Sequence, residues 1–198
     1  MKRLILSSSN PHKIGELKSI LEGLPVEVIS KSQAGFGDLE VVEDGETLEA
    51  NAMKKALAMA ERSSDIVLAD DTGLFVDALN GEPGVYSARY AGEDCSYQDN
   101  NRKLLAALAE VPDEKRTAHF ETVIAIVWED GTSQTVSGIC QGKIGREPKG
   151  ENGFGYDPLF IVEGTERTFA QMKDEEKNQL SHRANALKKL REVFEKRL

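Results

Sequence analysis

At 198 residues the chain is long enough for one domain with a substantial core, and 39% hydrophobic with 30% charged residues is ordinary for a soluble globular fold. A net charge of −9 disfavours general nucleic-acid binding, and the longest apolar run, residues 123–128, is far too short to span a membrane. Cys95 and Cys140 have no metal-ligand spacing and suggest no disulfide framework, so a reducing cytoplasm is the expected compartment.

The first strand is expected at Lys2 to Ser7; the apolar part stops there, too early for a signal peptide. Asn10 is a good N-cap and Pro11 suits a first helical position, and Ile14, Leu17, Ile20 and Leu21 recur at helical spacing. Val26 to Ile29 reads as a second strand. Residues 31–46 form an acidic loop, after which Thr47 caps a helix to about Arg62 that carries Lys54 and Lys55.

Ile66 to Ala69 reads as a buried strand that ends on two adjacent carboxylates, Asp70 and Asp71, before Thr72-Gly73. Such neighbours repel and call for a counter-ion; a divalent cation held by carboxylate oxygens is the natural one. Asp-Asp-Thr-Gly is equally good turn chemistry. Ser96 to Leu108 is helical, and Glu129-Asp130-Gly131 joins two extended runs as a hairpin. A Gly-rich loop at 150–157 precedes a strand from Leu159 to Val162. Asp174 to Leu180 is a polar helix, and Ser181 caps the last helix. The long hairpin argues against a purely parallel sheet, so a mixed α/β protein is expected.

Four stretches could carry chemistry. Ser8, Ser9, Asn10, Pro11, His12 and Lys13 make a strand–turn–helix start of the kind that binds anions, without a Walker A pattern. Glu40 and Glu43 could join Asp70 and Asp71 around magnesium. Phe154, Gly155, Tyr156 and Asp157 lie in a loop whose glycines allow close backbone approach while the ring offers a stacking face. Lys177, His182 and Arg183 cluster at the start of the last helix, where basic side chains oppose the helix dipole.

These stretches together resemble the inosine/xanthosine triphosphate pyrophosphatase family. The likeness covers nearly the whole chain in order: SSSNPHKIGEL at Ser7, VEDGETLEANA at Val42, LADDTGLFVDALNGEPGVYSARYAG at Leu68, GFGYDPLF at Gly153 and SHRANAL at Ser181. The resemblance implies a single domain, residues 1–198, built as an elongated mixed β-sheet with flanking helices forming two lobes around a central cleft, usually as a homodimer. It implies Mg2+-dependent cleavage of deaminated purine nucleoside triphosphates (ITP, dITP, XTP) to the monophosphate and pyrophosphate, cleansing the nucleotide pool. Residues 8–13 with Lys55 and Lys177 would hold the triphosphate, next to Thr72. Asp71 would act as general base and touch the metal, with Asp70 and either Glu40 or Glu43 completing its surroundings. Phe154 would stack on the base, while Gly155, Tyr156, Asp157, His182 and Arg183 complete the base pocket. The SHR and GFGYD segments argue against a Maf-type pyrophosphatase, and adjacent Asp70 and Asp71 do not make the D-x-D of haloacid-dehalogenase phosphatases.

Overall fold

The computed structural model describes residues 1–198. Seven strands and five α-helices alternate in the order β1 (Lys2–Leu6), α1 (Pro11–Ile20), β2 (Val26–Ser30), α2 (Leu48–Ala60), β3 (Ile66–Val76), β4 (Pro83–Gly84), α3 (Tyr97–Ala107), β5 (Thr117–Val127), β6 (Ser133–Ile144), β7 (Phe160–Val162), α4 (Asp174–Leu180) and α5 (His182–Arg197). The strand order is β2-β1-β3-β5-β6-β7, with β4 attached to β3. β1 runs parallel to β2 and β3, whereas β4 is antiparallel to β3 and β7 to β6. The sheet is therefore mixed, as the hairpin predicts.

The helix starts follow their side chains. The Asn10 Oδ1 accepts from the His12 N–H at 2.9 Å and Pro11 opens α1; the Thr47 hydroxyl accepts from Ala50 at 3.1 Å; Ser96 and Asp99 form a reciprocal capping box on α3; Ser181 accepts from Ala184 at 3.1 Å. Each satisfies a backbone donor that has no partner within its helix.

The chain divides into two compact units. The first holds residues 1–71, 122–137 and 186–198. Its core joins Leu4, Leu6 and Leu68 from the parallel strands to Leu17 and Leu21 of α1 and to Leu187, Leu190 and Phe194 of α5. The second unit holds residues 72–121 and 138–185. An aromatic group is at its centre: Phe120 meets Phe160 edge-on at 4.7 Å, and Phe160 stacks on Phe169 at 5.2 Å. Burying each such ring or leucine contributes about 1.5–3 kcal/mol.

One expectation is corrected here. The Asp-Asp-Thr-Gly stretch is no turn and does not end a strand: β3 runs unbroken from Ile66 to Val76 and carries Asp70 and Asp71 in its middle. Gly73 makes the continuation possible. A Cβ there would lie 2.6 Å from the Gly84 carbonyl oxygen, so only glycine lets β4 pair with β3 at this point.

The second unit also buries Arg116, which no sequence pattern distinguishes from a surface arginine. Its guanidinium is saturated by neutral carbonyls, those of Ile144 (2.9 Å), Leu108 (2.6 Å), Val111 (3.4 Å) and Gly145 (2.8 Å). It ties the end of α3 to the end of β6. Arg116→Leu would take the side-chain donor from the Ile144 and Gly145 carbonyls and is expected to lower the unfolding free energy by about 2–4 kcal/mol in urea titrations.

Candidate active site

In the first unit, three parallel strands deliver their carboxyl ends to one place, the usual ligand-binding edge of such sheets. β1 leads into the Ser7–Asn10 turn and α1. β2 leads into the acidic loop. β3 continues past its last pairing with β1, Leu6↔Leu68, and presents the two carboxylates. The loops are stitched together: the Ser7 N–H donates to Leu68 at 2.7 Å, Lys31 N–H to Ser8 at 3.3 Å, and the Ser9 and Ser32 hydroxyls share a 2.7 Å bond.

Successive side chains on a strand point to opposite faces. The two carboxylates accordingly take different cations. Lys13, from the first turn of α1, donates to Asp70 Oδ2 at 2.7 Å. Lys55, from α2, lies 3.4 Å from Asp71 Oδ1 and 2.9 Å from Glu43 Oε1. Burial pushes the Asp71 carboxyl above the usual range and Glu43 adds to this, against the pull of Lys55. Burial would lower Lys55, but Asp71, Glu43 and Asp70 outweigh it and raise its pKa. Lys55 is therefore firmly charged.

A hollow beside this group is lined by Ser7, Lys31, Glu40, Glu43 and Lys55, among others. Both candidate glutamates face it, and Glu43 is the one joined to Asp71 through Lys55. No three of the acids are gathered tightly enough to hold a metal ion as they stand. Even so, the donors suit a hard cation, since carboxylate oxygens of Asp70, Asp71 and Glu43 lie around the two lysines. Sequence reasoning passed over Lys31 and Asn51. Asn51 is fully buried on α2, and the only signal for it is an asparagine inside an otherwise apolar helix face.

The second unit assembles the other candidates. The 153–157 loop is wound around the Asp157 carboxylate, which accepts from the Phe154 N–H at 3.0 Å and from Lys177 Nζ at 2.5 Å. Gly153, at φ +74°, fits because a Cβ would lie 2.0 Å from Asp157 Oδ2. Phe154 is thrust outward, 62% exposed, with Tyr97 tilted at 6.2 Å and Lys177 Nζ 5.0 Å from its ring centroid. This is a free aromatic face with a cation beside it.

Several of these side chains have partners within the second unit. Asp157 is only 3% exposed and holds the loop and Lys177. Lys177 lies with Phe154 and Asp157. Tyr156 is a core strut, its hydroxyl donating to the Ser87 carbonyl at 2.7 Å. The Gly155 carbonyl is held by Asn101 at 3.1 Å. His182 is buried and stacked on Phe120 at 4.7 Å, which explains how an imidazole is accommodated at a helix start. Arg183 and Thr72 are half-buried; Pro11 and His12 are exposed at the start of α1.

Burial pushes the Asp157 carboxyl up, and Lys177 opposes that shift. A carboxyl with a raised native pKa gives most stability while protonated and loses it as pH rises through that pKa. Lys177→Met removes the opposing cation, so its destabilisation relative to the parent should grow from pH 4 to pH 7.5. At neutral pH it should reach about 3 kcal/mol, read by urea unfolding at each pH.

The model of the Ham1 family matches residues 4–193. A protein of Thermoanaerobacter pseudethanolicus named dITP/XTP pyrophosphatase is 50% identical over 99% of this chain and 98% of its own length. A protein of the same name from Bacillus subtilis is 46% identical over 98% of each chain. The solved structure of the Staphylococcus aureus Ham1 protein superposes with a TM-score of 0.92 at 42% identity, covering both chains fully. That of a HAM1 protein from Coxiella burnetii gives 0.92 at 38% identity, covering 99% of this chain and all of that one.

Proposed function

The chain belongs to the Ham1 family, and from that premise we propose that Asp71 drives a Mg2+-dependent cleavage of deaminated purine nucleoside triphosphates. The protein is an enzyme, a nucleoside triphosphate pyrophosphohydrolase of the dITP/XTP type. ITP, dITP and XTP are the proposed substrates, the nucleoside monophosphate and pyrophosphate the products, and removal of damaged nucleotides from the pool the purpose.

The single observation that carries this reading is the double ion pair on β3, Lys13 with Asp70 and Lys55 with Asp71, at the carboxyl ends of the parallel strands. It supports the reading because cations that would suit a polyphosphate lie against carboxylates that would suit a metal and a water. The N-terminal turn of α1 adds backbone donors and the positive end of a helix dipole. The local cations answer the net charge of −9, since a triphosphate needs neutralisation only where it binds.

Asp71, Asp70 and Glu43 would hold Mg2+, which when bound lowers the cost of deprotonating water and offsets phosphate charge. Asp71 would take a proton from the attacking water as its oxygen bonds to the α-phosphorus. The phosphoanhydride bond between the α- and β-phosphates breaks, and its electron pair leaves with the pyrophosphate. Lys13 and Lys55 neutralise the charge that builds on the phosphate oxygens. Most of the acceleration in such a site comes from positioning and charge rather than covalent chemistry.

For the base, the outward Phe154 ring supplies the stacking face. Hypoxanthine and xanthine carry an acceptor oxygen at C6, where adenine carries an amino donor. A pocket of donors, with Arg183 among them, therefore favours the oxo bases. A buried unpaired polar group costs about 1–3 kcal/mol, or roughly tenfold to a hundredfold. Guanine shares the C6 oxygen and must be rejected at its 2-amino group.

Pyrophosphate release from ITP, XTP, GTP, ATP and dTTP, with and without Mg2+, tests the reading. ITP and XTP should exceed ATP and GTP by about tenfold or more, and activity should vanish without Mg2+. Asp71→Asn should lower kcat by ~100-fold or more with the thermal transition unchanged. Arg183→Ala should narrow the preference for ITP over ATP; an unchanged ratio refutes the donor pocket.

A further inference from the structure

The face of α2 toward the acids carries two side chains one turn apart, Asn51 and Lys55, which an i,i+4 spacing sets side by side. Lys55 has a double attachment: Glu43 of the acidic loop and Oδ1 of Asp71. Asn51 repeats the pattern. Its Oδ1 accepts from the Gly45 N–H of the same loop at 2.8 Å. Its Nδ2 is buried with no partner, and so is the second oxygen of Asp71, Oδ2. The Asn51 amide lies within reach of the Asp71 carboxylate.

Two buried complementary atoms, a donor and an acceptor, both left unpaired, are costly and uncommon. Bonds of this kind often close only when substrate is bound. Gly45 is fitted to the arrangement: a Cβ on it would lie 2.6 Å from Asn51 Oδ1. The loop therefore crosses Asn51 at a distance that only glycine permits.

We propose that Asn51 is a positioning residue. Its carboxamide anchors the acidic loop at Gly45 and donates Nδ2–H to Asp71 Oδ2, fixing the carboxylate in one orientation. Asn51 and Lys55 then act as a two-pronged clamp, each prong holding one loop residue and one oxygen of Asp71. The inference rests on the reading of Asp71 as the general base and adds the group that aims it.

Two substitutions separate the two ends of the amide. Asn51→Asp keeps an acceptor for Gly45 and removes the donor to Asp71. Asn51→Ala removes both. With ITP and Mg2+, Asn51→Asp should lower kcat by about tenfold to a hundredfold with KM within ~threefold, since orientation matters more in the transition state than in binding. In the metal-free, nucleotide-free protein, hydrogen exchange at the Gly45 amide should stay slow in Asn51→Asp and become fast in Asn51→Ala. Gly45→Ala, which leaves Asn51 in place but crowds its Oδ1, should reduce kcat in the same way and covers the case of a misfolded Asn51 variant. A parental kcat in Asn51→Asp or Gly45→Ala, or unchanged Gly45 exchange in Asn51→Ala, overturns the proposal. A parent enzyme that releases no pyrophosphate from ITP sinks the functional reading instead, and the exchange measurement still judges the anchor.

Discussion

Two like charges on consecutive residues of a half-buried strand set the terms for everything around them. Asp70 and Asp71 cannot both stay ionised at low exposure without opposite charge at hand. The strand's alternation sends them to separate partners, and two helices answer: α1 brings Lys13 to one, α2 brings Lys55 to the other. The turn before α1 and the acidic loop before α2 are where they are because those helices must deliver these lysines. In this structure the lysines hold the acids. On the proposed function, a magnesium-loaded polyphosphate would take over part of that duty, and the same charges would serve stability and function by exchange of partners.

The second unit shows another solution to a buried carboxylate. Asp157 is enclosed by its own loop, with one backbone N–H and one lysine as its company. The outcome is an exposed ring, Phe154, on a short segment whose conformation is set from inside. An aromatic face held this rigidly loses little freedom when a flat ligand stacks on it.

Much of this was legible in the sequence. Asn10-Pro11, Thr47 and Ser181 mark helix starts because capping is local chemistry, and the Glu129-Asp130-Gly131 hairpin follows from turn geometry. The family motifs put Lys13 and Asp70 in one site, and the structure pairs those two side chains. What escaped were features decided by contacts remote in sequence. The Asp-Asp-Thr-Gly segment has turn composition, but β4 pairs with Leu74 and Phe75 just after it, and the close approach at Gly73 permits that, so the strand continues. Tyr156 and His182 stand inside motifs, and the sequence did not show that tertiary packing also gives one a bond to Ser87 and the other a place against Phe120. Arg116 gave no sign at all, since its four carbonyl partners come from two separate segments of the chain, 108–111 and 144–145.

Gly153 sits where any side chain would displace the Asp157 oxygen that steadies Lys177. Positions 153 and 157 are therefore locked to one another, and shortening the second does not free the first, because the backbone at 153 keeps a φ of +74° that side chains rarely adopt. The aromatic platform can be retuned only from its neighbours, Tyr97 and Lys177, with the glycine left in place.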